Sequence, residues 1–287
     1  MPPVDRLKDL VDLVDEPVTD VIEEISPQDQ MFQSEPEYYF DAGHFALRCI
    51  RIAMMGARKT QVDRILDLPS GHGRVLRTLK AAFPEAELAA CDINRDGVDF
   101  CARAFGAIPV YGQERAAEID ITGPFDLIWC GSLLTHLDRQ GCRDFLDLFE
   151  SLLAPGNGLL VFTTHGRMVV DRIRARLVAF GMKRPDVLER FGALPGYLAW
   201  NLKQDRIEKL LADYESEGFG YAEWFDEERR RMLQMPTNYG ISVSSPAWVC
   251  REIERRRLRA VSYQEGGWGR QMDWWSQDAV GVLRPED

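Results

Sequence analysis

Between residues 64 and 163 short apolar runs alternate with stretches of helical spacing, and this alternation limits the chain to few architectures. Residues 64–68 (Arg-Ile-Leu-Asp-Leu) are a buried-strand pattern, followed by a glycine-containing turn and a helix over 75–82 that ends before Pro84. The unit repeats as a strand at 87–92 with a helix over 95–105 ending at Gly106, then a short strand at 108–111. A strand at 125–130 leads to a helix over 143–153, halted by Ala154-Pro-Gly-Asn-Gly158, and a fifth strand follows at 159–163. Strands and helices in this order specify an α/β, Rossmann-like domain: a parallel sheet with helices on both faces and ligands at the carboxyl ends of its strands.

The flanks differ in character. An acidic segment, 1–36, places Leu7, Leu10, Val11, Val14, Val18, Ile22 and Ile25 at helical spacing broken by Pro17 and Pro27. That pattern predicts two short amphipathic helices, packed on the domain surface or serving as a lid or a homo-oligomer contact. A broad apolar stripe over 37–57 predicts a helix that opens the core, 37–166. Residues 167–238 break the rhythm with helix-like sequence at 202–214 and 223–232, a helical insertion or cap after the fifth strand. The sheet pattern resumes in 239–287 with a strand at 239–243, a helix from Ser245-Pro246 to about 257, and strands at 259–264 and 278–283.

Composition bounds the partners. A chain of 287 residues, 45% hydrophobic and 28% charged, has material for one or two domains with a sizeable core and is not a disordered chain. The net charge of -11 disfavours nucleic acid and anionic lipid. Residues 1–41 hold twelve acids against Arg6 and Lys8, a net of -10, so the rest of the chain is near neutral at -1. Six cysteines without a C-x-x-C, Pro-Pro-Val-Asp after Met1, and the lack of an 18-residue apolar run point to a cytoplasmic protein without a membrane span. No metal site is expected from the spacing of Cys, His and acids.

The chemistry centres on Ile65-Leu-Asp-Leu-Pro-Ser-Gly-His-Gly-Arg74. Gly71 and Gly73 let a ligand approach the backbone. A carboxylate at the strand end, Asp67, would repel the pyrophosphate of a dinucleotide, and position 76 is Leu where G-x-G-x-x-G needs Gly, which counts against an NAD(P)-dependent oxidoreductase. Asp92 ends the second strand 19 residues after Gly73, where nucleotide-binding sheets place the acid that holds ribose hydroxyls.

Together these features resemble the class I S-adenosylmethionine-dependent methyltransferases, with Pro69 in place of the first glycine of their acidic-x-Gly-x-Gly-x-Gly motif. The resemblance implies a seven-stranded methyltransferase sheet, with S-adenosyl-L-methionine as cofactor and S-adenosyl-L-homocysteine as product. It assigns Asp67, Pro69, Ser70, Gly71 and Gly73 to the amino-acid end of the cofactor and Asp92 to the ribose. Ile93, Asn94 and Gln113 would border the adenine, and Cys130, Gly131 and Ser132 the methionine side. A non-catalytic binding protein of the same fold is the rival of another class.

Trp129-Cys-Gly-Ser-Leu-Leu-Thr-His-Leu-Asp138 resembles the stretch that borders the active site in small-molecule and sugar O-methyltransferases. His136 and His165, after the fourth and fifth strands, are the candidate bases, or else ordinary loop hydrogen-bonders. His72 more naturally orients the cofactor turn, and His44 lies in the 37–57 helix near Tyr38 and Tyr39. Six of the seven tryptophans lie beyond residue 199, and they stack on sugar rings or pack the cap. Glu265, Arg270 and Asp273 sit in the loop between the last two strands, and Arg229–231 and Arg255–257 either bind anions or are solvated. The pattern as a whole resembles bacterial methyltransferases of surface-glycan synthesis. It implies O-methylation of a sugar hydroxyl of a glycan or glycolipid precursor, with O- or N-methylation of a small metabolite as the alternative.

Overall fold

Apolar residues on alternate sides of each strand build a two-faced sheet, and the helices between strands cover both faces. The computed structural model describes residues 11–12, 14–32, 35–181, 203–224, 239–269 and 276–286. Its central sheet holds seven strands: β1 (Arg64–Asp67), β2 (Glu87–Asp92), β3 (Ile108–Tyr111), β4 (Leu127–Cys130), β5 (Leu159–Thr164), β8 (Arg259–Trp268) and β9 (Gln277–Leu283). They lie in the order β3-β2-β1-β4-β5-β9-β8. The first five are parallel, and β9 runs antiparallel to both β5 and β8. The order reverses between β1 and β4, which opens the crevice where such sheets bind ligands. Because β9 is reversed, its first residues pair with the end of β5, Asp278 opposite Thr164, and join the same edge.

One face, with Ile65, Trp129 and Val161, packs under α1 (Pro36–Ala57), α2 (Leu76–Ala82) and α3 (Arg95–Phe105). The other, with Leu66, Ile128, Phe162 and Val280, packs on α4 (Arg139–Leu152) and α7 (Pro246–Arg255). Neighbouring residues thus serve opposite faces, as the period-2 geometry of a strand requires. Short polar side chains begin three helices: Asn94 accepts from the Gly97 amide, Asp138 from Gly141 and Ser245 from Trp248. Gly106 ends α3 with φ 68°. The Asp138 cap starts α4 at Arg139, a turn earlier than the apolar pattern indicated.

Two expectations are corrected. Residues 14–32 contain no helix. Proline breaks the segment, and carbonyls that a helix would keep for itself are taken by arginines: Arg51 donates to Glu16, and Arg77 to Ile22 and Glu24. Second, β7 (Gly240–Ser244) does not rejoin the central sheet; it pairs with β6 (Phe219–Glu223) in a separate two-stranded antiparallel sheet. The edge of β5 is already taken by β9, so β7 turns its apolar residues Ile241 and Val243 towards α5 (Arg167–Gly181) and α6 (Gln204–Glu217) in a third small core. The insertion is therefore mixed α and β. Leu7, Leu10, Trp200, Arg229–231, Arg270, Asp273, Trp274 and Trp275 lie outside the described residues. No helix among the described residues is long and apolar enough to cross a membrane.

Candidate active site

The turn after β1 is shaped from both sides. The Ser70 amide donates to the Cys91 carbonyl at 3.0 Å and the Gly73 amide to Ser70 at 2.9 Å. Gly71 and Gly73 take φ of 50° and 75°, the left-handed region that disfavours other residues. A Cβ on Gly71 would meet nothing within 4 Å, so this side of the turn is an open cradle, whereas one on Gly73 would strike Phe105. His72 is buried beneath, its Nε2 2.9 Å from Asp96.

Asp92 holds the next corner. One carboxylate oxygen accepts from the Gly71 amide at 2.7 Å, the other from the Asn94 amide at 2.8 Å. Each keeps a second lone pair, which suits two hydroxyl donors of a ribose. Burial pushes the Asp92 carboxyl up against the pull of these amides. Asp67 is only 1% exposed, and neither of its oxygens has a hydrogen-bond partner. Burial, then the charge of Asp92, raises it well above the usual carboxylate range. An unpaired buried carboxylate beside an open glycine cradle fits a cofactor that brings an ammonium group. Ile93 offers a half-exposed apolar side chain next to Asp92, while Asn94 is engaged as the α3 cap. The Gly112 amide bonds the Asp92 carbonyl at 2.8 Å, which sets Gln113, exposed, beyond the end of β2.

Past β4, Cys130 is wholly buried in the core, so only its backbone can border a ligand. Gly131 is packed over the Trp129 indole. Ser132 stands at φ 60° and belongs to a polar network: its amide donates to Thr163 Oγ1, Thr163 donates to Gln277 Oε1, and Gln277 Nε2 donates back to Ser132 Oγ. These bonds tie the post-β4 loop to β5 and β9.

β7 determines the state of both candidate bases. His136 Nδ1 lies 2.9 Å from the Gly240 carbonyl, and His165 Nδ1 lies 3.1 Å from the Ser242 carbonyl. A carbonyl only accepts, so each Nδ1 carries the proton and each Nε2 of the neutral ring presents a lone pair. Burial lowers His136 to about 4; burial and then neighbouring His136 lower His165 to about 3. Backbone bonds reinforce the clamp, Gly240 and Ser244 donating to the His136 and His165 carbonyls at 2.9 Å. His136 stacks on Tyr239 (centroids 4.8 Å apart) and meets Trp224 edge-on at 5.0 Å. Burial, and next the charge of Asp92, pushes the Tyr239 phenol up to about 12.

No local pattern in the sequence marks Tyr239, Gln277 and Asp278. Asp278 accepts from the Tyr263 hydroxyl and the Gly266 amide, both at 2.9 Å. Glu265 pairs with Arg167, and of the arginines at 255–257, Arg256 is buried between Glu252 and Asp147. Trp129, Trp248 and Trp268 are core residues, leaving Trp224 beside the candidate base. Among the described residues no group of three or more His, Cys, Asp or Glu side chains could hold a metal ion.

Residues 66–160 match the sequence model of a family described as a methyltransferase domain. A release factor glutamine methyltransferase of Deinococcus radiodurans is 30% identical over 81 residues, a match spanning 28% of this chain and 29% of that one. Magnesium protoporphyrin IX methyltransferase of Synechocystis, solved with S-adenosylhomocysteine, aligns over 96% of this chain and 94% of its own with a TM-score of 0.50 at 10% identity, a likeness of fold. An amino pentose methyltransferase of Micromonospora echinaspora aligns over 91% and 99% with a TM-score of 0.49 at 14% identity.

Proposed function

From the match of residues 66–160 to a methyltransferase domain, we propose that the chain is a class I S-adenosylmethionine-dependent methyltransferase and transfers the methyl group of S-adenosylmethionine to a sugar hydroxyl of a glycan or glycolipid precursor, releasing S-adenosylhomocysteine. The observation that carries the choice of a hydroxyl acceptor is the fixed tautomer of His136, whose Nδ1 proton is held by Gly240. The bound cofactor supplies an electrophilic methyl group on a sulfonium centre. Asp92 would hold the ribose hydroxyls, the turn at Gly71 and Gly73 the amino-acid end, and Asp67 its ammonium group. An alcohol must lose its proton as its oxygen takes the methyl group, and His136 Nε2 is the base that receives it, with His165 behind. Orientation and exclusion of water do the rest, since the sulfonium needs no further activation. Tyr239 and Trp224 offer ring faces and edges against which a sugar can stack. The near-neutral body disfavours a nucleic-acid acceptor, and six free thiols suit the cytoplasm.

The test is a screen of sugar nucleotides and surface-glycan fragments with release of S-adenosylhomocysteine as the readout. Turnover confined to amine-bearing metabolites would overturn the choice of acceptor. His136→Gln should bind S-adenosylhomocysteine like the wild type and lose 100-fold or more in turnover, within the usual range for general-base catalysis. Retained turnover would remove His136 as the base.

A further inference from the structure

Arg77, in the first turn of α2, has no exposed surface, and among the described residues no carboxylate bonds its guanidinium directly. Its five N–H donors are all engaged. Nε donates to the Gly73 carbonyl at 3.1 Å, and Nη2 to the His72 carbonyl at 3.4 Å and the Tyr39 hydroxyl at 3.2 Å. Nη1 donates to the carbonyls of Ile22 at 2.8 Å and Glu24 at 2.9 Å. One cation therefore joins two carbonyls of the cofactor turn to two of the N-terminal segment. The segment is fastened a second time, since the Tyr39 hydroxyl donates to Asp29 Oδ2 at 2.5 Å, and Asp29 Oδ1 accepts from the Met31 amide at 2.9 Å and lies 3.9 Å from His72 Nδ1.

We propose that residues 22–29 are a positioning strap for the cofactor turn: they hold Arg77, and Arg77 holds the His72 and Gly73 carbonyls. The turn needs such support, because left-handed backbone at two glycines has many alternatives in the absence of restraint. The inference rests on the cofactor reading above and gives the segment a role distinct from a lid, which must open, and from a subunit contact. Arg77 and Tyr39 are positioning residues, since they act on the cofactor through the turn. A lysine at 77 keeps the charge but has three donors on one atom, too few to bridge both segments.

The test compares the full-length wild type with Arg77→Lys and Tyr39→Phe by calorimetric titration with S-adenosylhomocysteine and by hydrogen exchange of the ligand-free chains. Arg77→Lys should bind tenfold or more weaker and Tyr39→Phe at least threefold weaker. The Gly71, Gly73 and Arg77 amides should exchange faster in both, while those of β5 keep the wild-type rate. Wild-type affinity and wild-type turn exchange in the folded variants, even with a lower melting temperature, would overturn the strap and leave these residues merely structural. If Arg77→Lys does not fold, Tyr39→Phe, which keeps the guanidinium, decides. Failure of the wild type to bind would overturn the cofactor reading instead, and exchange of the turn amides would still decide whether the strap shapes the turn.

Discussion

Asp92 combines two roles in one carboxylate. Its oxygens fix the Gly71 and Asn94 amides, so the group that would hold the ribose also shapes the glycine turn. Asp92→Ala should therefore weaken S-adenosylhomocysteine by about 100-fold, roughly 3 kcal/mol, the scale of one or two hydrogen bonds to a charged group. Calorimetry checks this, and unchanged affinity would remove the assignment. Asp67, Gly71, Gly73 and Asp92 were legible because their positions follow from local strand–turn spacing. Tyr239, Gln277 and Asp278 were not, because they reach the same edge through elements far along the chain, which no local pattern records. His165 gives a test of burial. Its ring falls from 6.5 to about 3 on folding, so the unfolded chain binds the proton more tightly and stability is lost as the pH drops below 6.5. At pH 5 this amounts to about 2 kcal/mol relative to pH 8. Raised carboxyls such as Asp67 and Asp278 act in the opposite sense, and comparison with His165→Asn cancels them. Urea titrations should show the stability gap between wild type and variant shrink by about that amount from pH 8 to pH 5, and parallel curves would contradict the buried neutral ring.

The β6–β7 strand pair is the element that turns loop histidines into oriented ones. The period-2 pattern of residues 239–243 correctly indicated a strand but could not say which edge it joins, since pairing depends on what already occupies the sheet. β6 escaped notice because Phe219-Gly-Tyr-Ala-Glu223 is short and has glycine at its second position. By contrast β2, α3 and β3 stand where the sequence put them, bounded by Asp92, Gly106 and the turn residues between. The closeness of the two strands can be tested at Gly240, where a Cβ would lie 2.3 Å from the Ala222 carbonyl and 2.8 Å from the Tyr221 ring. Gly240→Ala must push the strands apart, at a cost of about 1–3 kcal/mol by analogy with overpacking. It also moves the carbonyl that holds His136. Turnover should fall tenfold or more with cofactor affinity kept; a variant with wild-type turnover would show that β7 does not set the base.

Across the whole molecule the acidity divides the chain into an N-terminal segment and a near-neutral body, and the segment's backbone proves as important as its charges. Its carbonyls at Glu16, Ile22 and Glu24 serve Arg51 and Arg77, both buried in the body, while Asp15 makes only an exposed ion pair with Arg48. Exposed pairs contribute about 0–1 kcal/mol, whereas hydrogen bonds to charged groups contribute about 1.5–3 kcal/mol each. The helical spacing of Val18, Ile22 and Ile25 misled because it does not record where the carbonyls go, and Ile22 stays exposed. Removal of residues 1–30 takes away seven of the eleven net negative charges and every one of these carbonyl acceptors. With about 2–4 °C per kcal/mol for a chain near this size, the truncated protein should melt on the order of 10 °C lower. It should bind S-adenosylhomocysteine more weakly, and by light scattering it should keep the oligomeric state of the full chain. A changed oligomeric state with unchanged affinity would make the segment a contact surface; unchanged melting and binding together would show that the body holds its arginines and its cofactor turn without it.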